Sequence, residues 1–574
     1  MKFASKIFQE IWAVDFEFYG NSGDRPTPVC LIAHELLTGR TLRIWQDELS
    51  KMQSPPYSIG PDSLFVAYYS SAEFSCHLAR KWPLPTHILD LYTEFRNLTN
   101  GLPLPCGKGL IGALTYFGVD SIGALQKEAM RDLILSGGPW SNDDREAILD
   151  YCQSDVSALV LLLEKMAPKL NLKRALLRGQ YMAAVAKIED RGIPIDIELF
   201  NRLEENWELI KTQLIQNVDV NYKVFEDGHF RLSLFKKYLI DNNIPWPKLE
   251  TGTLKTDDDT FKEMAKVHPQ LQQLRDLRSI LSQLKLSKLS IGKDGRNRCL
   301  LSAFQTRTGR NAPSNSKFIF GTATWLRSLI KPEPGMGLAY IDWSQQEFGI
   351  AAKLSEDLHM QDAYRSGDPY LAFGKQAGAV PPNATKQSHR NERDRFKACV
   401  LGVNYGMGEK ALADRIQQSV LEARNLLKKH QDTYQRFWWW SNGALDYAMF
   451  YGKLWTVFGW TIKVNENPNP RMLRNFLIQA NGAEMLRLAC ILVLNEGVNI
   501  CAPIHDAILI EAPIDELDDK ICIAQNAMKQ ASKIVLSGFG LNTDVEKIKY
   551  PDRFSDRRGE ETWNAILDIL TKNL

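Results

Sequence analysis

The stretch Cys501–Pro513, CAPIHDAILIEAP, constrains the fold more than any other, because the pair His505-Asp506 interrupts a run whose β-branched and apolar residues belong in a sheet. A buried carboxylate without a partner is costly, so the fold must bring Asp506 to a solvated strand end or supply a cation or a hydrogen-bond network. Gly337–Ser355, GLAYIDWSQQEFGIAAKLS, raises the same question: it begins as an apolar strand and ends as a helix, with Asp342 at the junction. An aspartate capping the next helix accounts for Asp342 taken alone.

A chain of 574 residues exceeds one hydrophobic core, so two to four domains are expected. Hydrophobic content of 44% and charged content of 24% are those of ordinary globular proteins. The 70 Lys and Arg nearly balance the 68 Asp and Glu, for a net +2, which leaves a polyanionic partner open because basic groups can gather in one cleft. The nine cysteines contain no CxxC pair, which argues against a zinc ribbon or a disulfide scaffold and for a reducing compartment. MKFASKIFQEIW lacks the apolar core of a signal peptide, and no uninterrupted apolar run approaches the roughly 20 residues of a membrane span. The expectation is a soluble cytoplasmic protein without a membrane partner.

Strand patterns fall at 11–18, 41–49 and 62–70, followed by helical periodicity from about Gly123 to Leu170, which outlines an α/β domain ending near Pro168. Residues 172–289 read as mostly helical, with a polar interruption at KLETGTLKTDDDT, and strand and helix signals mix again after Gly295.

Within VDFEF, Asp15 and Glu17 are two apart on a strand and leave the same face, where they repel unless a cation joins them. Such an oxygen pair suits Mg²⁺ or Mn²⁺, although a solvated strand face is the plain alternative. In YCQSD, Tyr151 and Asp155 lie one helical turn apart, and a phenol beside a metal-bound carboxylate can orient a water. Further on, Arg393, Lys397, Leu401 and Tyr405 in RDRFKACVLGVNYGMG recur every four residues on one helix face, where snorkelling surface cations are the default reading.

The D-x-E strand with the Y-x3-D helix resembles the DEDDy family of 3′-5′ proofreading exonucleases over roughly residues 8–168. That resemblance implies a ribonuclease H-like domain and one further acid. In LFVAYYSSAEFSCHLA it puts Glu73 at that position, with Tyr68 and Tyr69 where His-Asn commonly stands, and Asp90 in ILDLY competes for the role. The implied chemistry is two-metal hydrolysis of a 3′-terminal phosphodiester by Asp15, Glu17, Glu73, Asp155 and Tyr151.

The C-terminal segments resemble the motifs of family A DNA polymerases. That resemblance implies that Asp342 and Asp506 are the catalytic metal ligands, that Gln345 and Glu347 are nucleotide-pocket positions, and that Glu347 closes the pocket beneath the sugar. It also implies that Arg393 and Lys397 grip the triphosphate, that Lys397 protonates the pyrophosphate, and that Tyr405 stacks near the templating base. TRTGR, ending at Arg310, and RNFLIQANGAEMLRLA, with Arg474, Asn475 and Gln479, resemble DNA-contacting segments, and His505 would lie near the primer terminus. Trp343 stands where tyrosine is usual, Leu401 where an aromatic is typical, and Ala507 where a glutamate usually follows the aspartate.

The fold class so implied is a multidomain α/β and α+β chain: a ribonuclease H-like exonuclease (1–168), then a right-hand polymerase with thumb (169–300), palm (301–355 and 446–574) and fingers (356–445). IEDRGIPID resembles the opening of the thumb, and the compact layout resembles that of phage-type replicative polymerases. The expected ligands are two Mg²⁺ or Mn²⁺ ions at each site, primer–template DNA and deoxynucleoside triphosphates, with the chain acting as a monomer. Two competing readings are an exonuclease whose polymerase-like half only binds nucleic acid, and a single-subunit RNA polymerase, which Glu347 disfavours.

Overall fold

Strand β1 (Glu10–Tyr19) sits at the centre of a five-stranded sheet of order β3-β2-β1-β4-β5. It pairs antiparallel with β2 (Thr27–Glu35), which pairs antiparallel with β3 (Thr41–Trp45). On its other side β1 runs parallel to β4 (Ser63–Ala67), and β4 runs parallel to β5 (Ile88–Asp90). These coordinates come from a computed structural model that describes residues 7–119, 124–283, 288–465 and 467–572. The strand predicted at 41–49 stops at Trp45, where Gln46–Leu49 turns helical. Strands β2 and β5 carry no alternation in the sequence: most of β2 is buried on both faces, and β5 has only three residues.

Alternation along β1 divides two cores. Ile11 and Ala13 join Ile148, Cys152 and Val156 on one face, whereas Trp12, Val14 and Phe16 join Phe65 and Phe74 on the other. A one-residue slip would exchange these sets, mismatching the packing of both cores and turning Asp15 and Glu17 into the face that holds Trp12 and Phe16. The register therefore fixes Asp15 and Glu17 on the Ile11 face. Around the sheet lie α1 (Ser71–Ala79), α2 (Leu91–Thr99), α3 (Ala124–Leu135) and α4 (Asn142–Met166). The predicted helical stretch is thus two helices. The second begins at a capping box in which the Ser141 hydroxyl accepts from the Asp144 N–H and the Asp144 carboxylate accepts from the Ser141 N–H.

Helix α5 (Leu172–Arg191) lies so close to β5 that a Cβ on Gly179 would sit 2.1 Å from the Ile88 carbonyl oxygen. Its Tyr181, Met182 and Val185 enter a third, larger core, which holds the C-terminal elements. In chain order these are β6 (Met336–Trp343), α6 (Gln346–Leu354), α7 (Pro369–Gln376), α8 (Arg390–Asn404), α9 (Gln435–Tyr451), β7 (Lys453–Trp455), β8 (Thr461–Lys463), α10 (Pro470–Asn495), β9 (Asn499–Ile504), β10 (Ala507–Pro513), α11 (Leu517–Val535) and β11 (Thr543–Lys549). Strands β9-β10-β6-β11 form one sheet in that order. Helix α10 is long and apolar enough to cross a membrane, with a mean hydropathy of 1.5 over its best window, but 78% of that window is buried against the protein. It is the core helix of this region, packing on α5, α6 and α11.

By compactness the chain divides into two units of interleaved segments. One holds Met1–Gly192, Leu300–Ala312 and Gly337–Lys547; the other holds Ile193–Cys299, Pro313–Met336 and Ile548–Leu574. The region expected as thumb, 169–300, is shared between them, with α5 in the first. The second unit is mainly helical, with a core of Tyr222, Phe235, Phe261 and Leu274 and the Arg278 guanidinium over the rings of Phe230 and Phe261 at 4.1 and 4.2 Å.

Candidate active sites

The puzzle of the charged dyad resolves into a hairpin. Ile504 pairs with Ala507, so His505 and Asp506 are the two turn residues, and His505 takes φ +55° to close it. The apolar residues on either side are the buried strands β9 and β10. Next in the sheet lies β6, which ends at Trp343, and the Trp343 N–H donates to the Asp506 carbonyl oxygen at 3.3 Å. The two acid-bearing segments, about 160 residues apart, therefore meet. Burial, then repulsion from Asp506, Asp544 and Glu546, raises the Asp342 carboxyl to about 6. Burial also raises Asp506, against the opposing charges of Arg310 and His505. A carboxylate raised by three others around it belongs to a donor set suited to divalent cations.

Asp544 and Glu546 on β11 were not anticipated. The signal was present: Asp544-Val545-Glu546 repeats the D-x-E spacing of Asp15-Phe16-Glu17. Ser344 holds Asp544 by donating its hydroxyl at 2.6 Å. Ala507 is fully buried, so a glutamate there would have to bury its carboxylate in the hairpin.

The T-x-T-G-R segment is a tight loop. The Thr306 N–H donates to the Arg310 carbonyl, and its hydroxyl accepts the Arg310 N–H at 2.8 Å. Gly309, at φ +75°, passes so close to Trp460 and Arg487 that a Cβ would meet them at 3.1–3.2 Å. The loop presents Arg310 to Glu347, 3.5 Å away, and the Tyr405 hydroxyl donates to the same carboxylate at 2.9 Å. Burial, then Glu347, pushes the Tyr405 phenol up to about 12, and Gln479 also hydrogen-bonds to it. Gln345, in the left-handed region at φ +47°, turns the chain from β6 into α6 and so aims Glu347.

On α8, Arg393 and Lys397 both lie over the Tyr370 ring, at 5.5 and 5.7 Å. Arg393 also donates to Asp368 at 2.5 Å, an ion pair that the sequence did not announce because Asp368 reads as the cap of α7. Leu401, one turn on, packs partly into the large core, so that position is spent on packing. On α10, Arg474 donates to Ser441 at 3.0 Å, and the buried Asn475 Oδ1 has no hydrogen-bond partner among the described residues. His505 is exposed at the hairpin tip.

At the other end of this unit, Asp15, Glu17 and Cys152 each bring one donor atom within 4.8 Å of the other two. Cys152, between Tyr151 and Asp155 in sequence, donates its thiol to Asp15 Oδ2 at 3.3 Å. Glu73 accepts the Phe16 N–H at 2.7 Å, and burial, then Asp15, raises its carboxyl. Asp90, the competing candidate, is committed elsewhere: it caps α2 through the Thr93 N–H and accepts from the Ser70 N–H and hydroxyl. Lys127 on α3 sets its ammonium 2.7 and 2.9 Å from the two Asp155 oxygens, so a divalent ion at Asp155 competes with it. Burial, then Asp155, keeps the Tyr151 phenol protonated.

Burial, then Asp155, raises Asp15 to about 7, and burial, then Asp15, raises Glu17. Metal binding must displace those protons. Mn²⁺ affinity at this cluster is therefore expected to rise with pH between 5.5 and 7, with protons released at pH 6. Titration calorimetry in two buffers of different ionisation enthalpy reads that release; an affinity flat from pH 5.5 to 8 contradicts it.

Residues 198–546 match the model of DNA polymerase family A. DNA polymerase I of Aquifex aeolicus is 26% identical over 431 residues, covering 68% of this chain and 73% of that protein. DNA polymerase I of Synechocystis is 25% identical over 444 residues, covering 66% of this chain but 43% of that protein, so the chain spans under half of that relative's length. Among solved structures, the POL domain of Pol1 from M. smegmatis, in complex with DNA primer-template and dNTP, aligns over 99% of this chain and 98% of its own. Its TM-score is 0.74 at 18% identity, a likeness of fold. The chain belongs to DNA polymerase family A.

Proposed function

We propose that the chain is a template-directed DNA polymerase that extends a primer 3′ end with deoxynucleoside triphosphates, and that its N-terminal sheet carries a 3′-5′ proofreading exonuclease. The observation that carries the first part is the meeting of Asp342 and Asp506 at the ends of neighbouring sheet segments, both raised by burial and Asp342 also by the carboxylates around it. Mg²⁺ or Mn²⁺ held by these carboxylates would supply activation of the primer 3′-hydroxyl and neutralisation of charge at the α-phosphate. Arg393 and Lys397 bind the triphosphate, Arg393 exchanging Asp368 for phosphate oxygens, and Lys397 gives a proton to the leaving pyrophosphate.

Glu347 closes the floor of the nucleotide pocket beneath the sugar. Its carboxylate is fixed by the Tyr405 hydroxyl, which stays protonated, and by Arg310. A ribose 2′-hydroxyl would meet that carboxylate. Glu347→Ala is expected to raise ribonucleotide incorporation about tenfold or more relative to deoxynucleotides; competition between ATP and dATP opposite template thymine measures it, and unchanged selectivity would sink the assignment.

For the exonuclease, the support is the sheet order with its antiparallel first half and parallel second half, as expected of a ribonuclease H-like domain, and the gathering of Asp15, Glu17, Glu73 and Asp155 around β1. Tyr151, neutral and beside Asp155, orients the attacking water. Incubating a 5′-labelled, mispaired primer–template without nucleotides tests this reading: loss of the mispaired terminus is expected, and its persistence contradicts the reading.

A further inference from the structure

Away from both carboxylate sites, the first unit contains a cavity of about 370 Å³ lined by Lys169, Arg174, Lys453, Lys463 and Trp455. Among the described residues none of these four cations forms an ion pair. Arg178 and Glu94, also at the wall, neutralise each other through two hydrogen bonds of 2.6 and 2.8 Å. The four charges instead repel: burial, then Lys169 and Lys453, lowers the Lys463 ammonium below its ordinary range. Asn171, the N-cap of α5, lines the same cavity and adds the positive end of a 20-residue helix.

The walls are fixed. The Thr461 N–H donates to Asn97 at 2.7 Å, the Lys463 N–H donates to the Asn100 carbonyl at 2.8 Å, and the Asn100 amide donates back to Thr461 at 2.9 Å. Gly459, at φ +81°, leaves room for the Arg174 guanidinium, which lies 2.4 Å from where a Cβ would be. A row of exposed rings starts at the mouth. Trp455 is 44% exposed and carries Lys453 over its ring; Tyr447 meets it edge-on at 5.7 Å, and Tyr451, 58% exposed, lies tilted against Tyr447 at 4.3 Å.

Unpaired cations on a fixed wall call for a polyanion, and exposed rings beside them, with free faces, call for planar bases. An acidic peptide would satisfy the cations but not the rings. We propose that this cavity and ring row bind single-stranded DNA, the cations taking consecutive phosphates and Trp455, Tyr447 and Tyr451 stacking its bases. The proposal rests on the polymerase reading only in taking DNA as the ligand.

The test is fluorescence anisotropy with the full chain and three probes: a labelled dT20, an abasic 20-mer and a poly-glutamate peptide. Lys453→Glu/Lys463→Glu is expected to weaken dT20 binding tenfold or more and to lower the slope of log affinity against log salt by about 1.4, two phosphate contacts' worth. Trp455→Ala is expected to weaken dT20 about tenfold while leaving the abasic strand unchanged. Undiminished dT20 binding by the double variant overturns the proposal, as does a Trp455→Ala effect equal on both strands. Loss of the peptide with retention of dT20 overturns it in favour of an acidic-peptide site. Extension of a primer on a template with a two-nucleotide overhang, expected unchanged in all variants, confirms that they fold. If wild type fails that extension, the polymerase reading falls while the binding result stands.

Discussion

Asp342→Asn and Asp506→Asn are each expected to reduce primer extension by about a thousandfold or more, with 3′ hydrolysis retained. Each change removes a charge from a place where the ends of neighbouring sheet segments present carboxylates together, and charge stabilisation at a reacting phosphate is worth about that factor. A stability measurement separates this outcome from misfolding. The folded pKa of Asp342 lies near 6, above its unfolded value, so the ionised carboxylate destabilises the fold at pH above about 6, and that penalty is absent below about pH 4. The Asn variant should therefore melt higher than wild type at pH 8 and at nearly the same temperature at pH 4. A protein that loses activity while gaining thermal stability has lost chemistry, not structure; a lower melting temperature at pH 8 contradicts the account.

The reciprocal change is expected at the other cluster. Asp15→Asn or Asp155→Asn should reduce removal of a mispaired 3′ nucleotide by about a hundredfold or more and leave extension of a matched primer within about twofold. The size follows from the crowding around β1. Asp15 shares a face with Glu17, touches the Cys152 thiol, and raises Glu73, so no neighbour can take over its position without moving the sheet register. Asp155 is held by Lys127, so its replacement by Asn also frees that ammonium. Equal loss of both activities in either variant would show that one cluster serves both reactions.

Much of this architecture is written in local periodicity. The same-face rule placed Asp15 with Glu17, four-residue spacing placed Arg393 and Lys397 on one helix face, and the strand-to-helix switch placed Asp342. Features that depend on partners distant in sequence were not legible. The dyad at 505–506 looks like an interruption because a two-residue turn without glycine carries no turn signal, and only pairing of Ile504 with Ala507 reveals it. Strand β2, buried by helices on both faces, shows no alternation. Asp90 reads like a ligand until Ser70 and Thr93 claim its oxygens. Lys127, Asp368 and Cys152 acquire roles only because elements distant in sequence bring Asp155, Arg393 and Asp15 to them. Asp544 and Glu546 are the exception, since their D-x-E spacing was visible in the strand itself.

Under the proposed function, one chain both lengthens and trims a primer. The most direct measurement follows a 5′-labelled primer annealed to a longer template, in Mg²⁺, with and without the four deoxynucleoside triphosphates. The account predicts lengthening to the template end when nucleotides are present and stepwise shortening from the 3′ end when they are absent. A primer that shortens under both conditions, or never changes length, contradicts it.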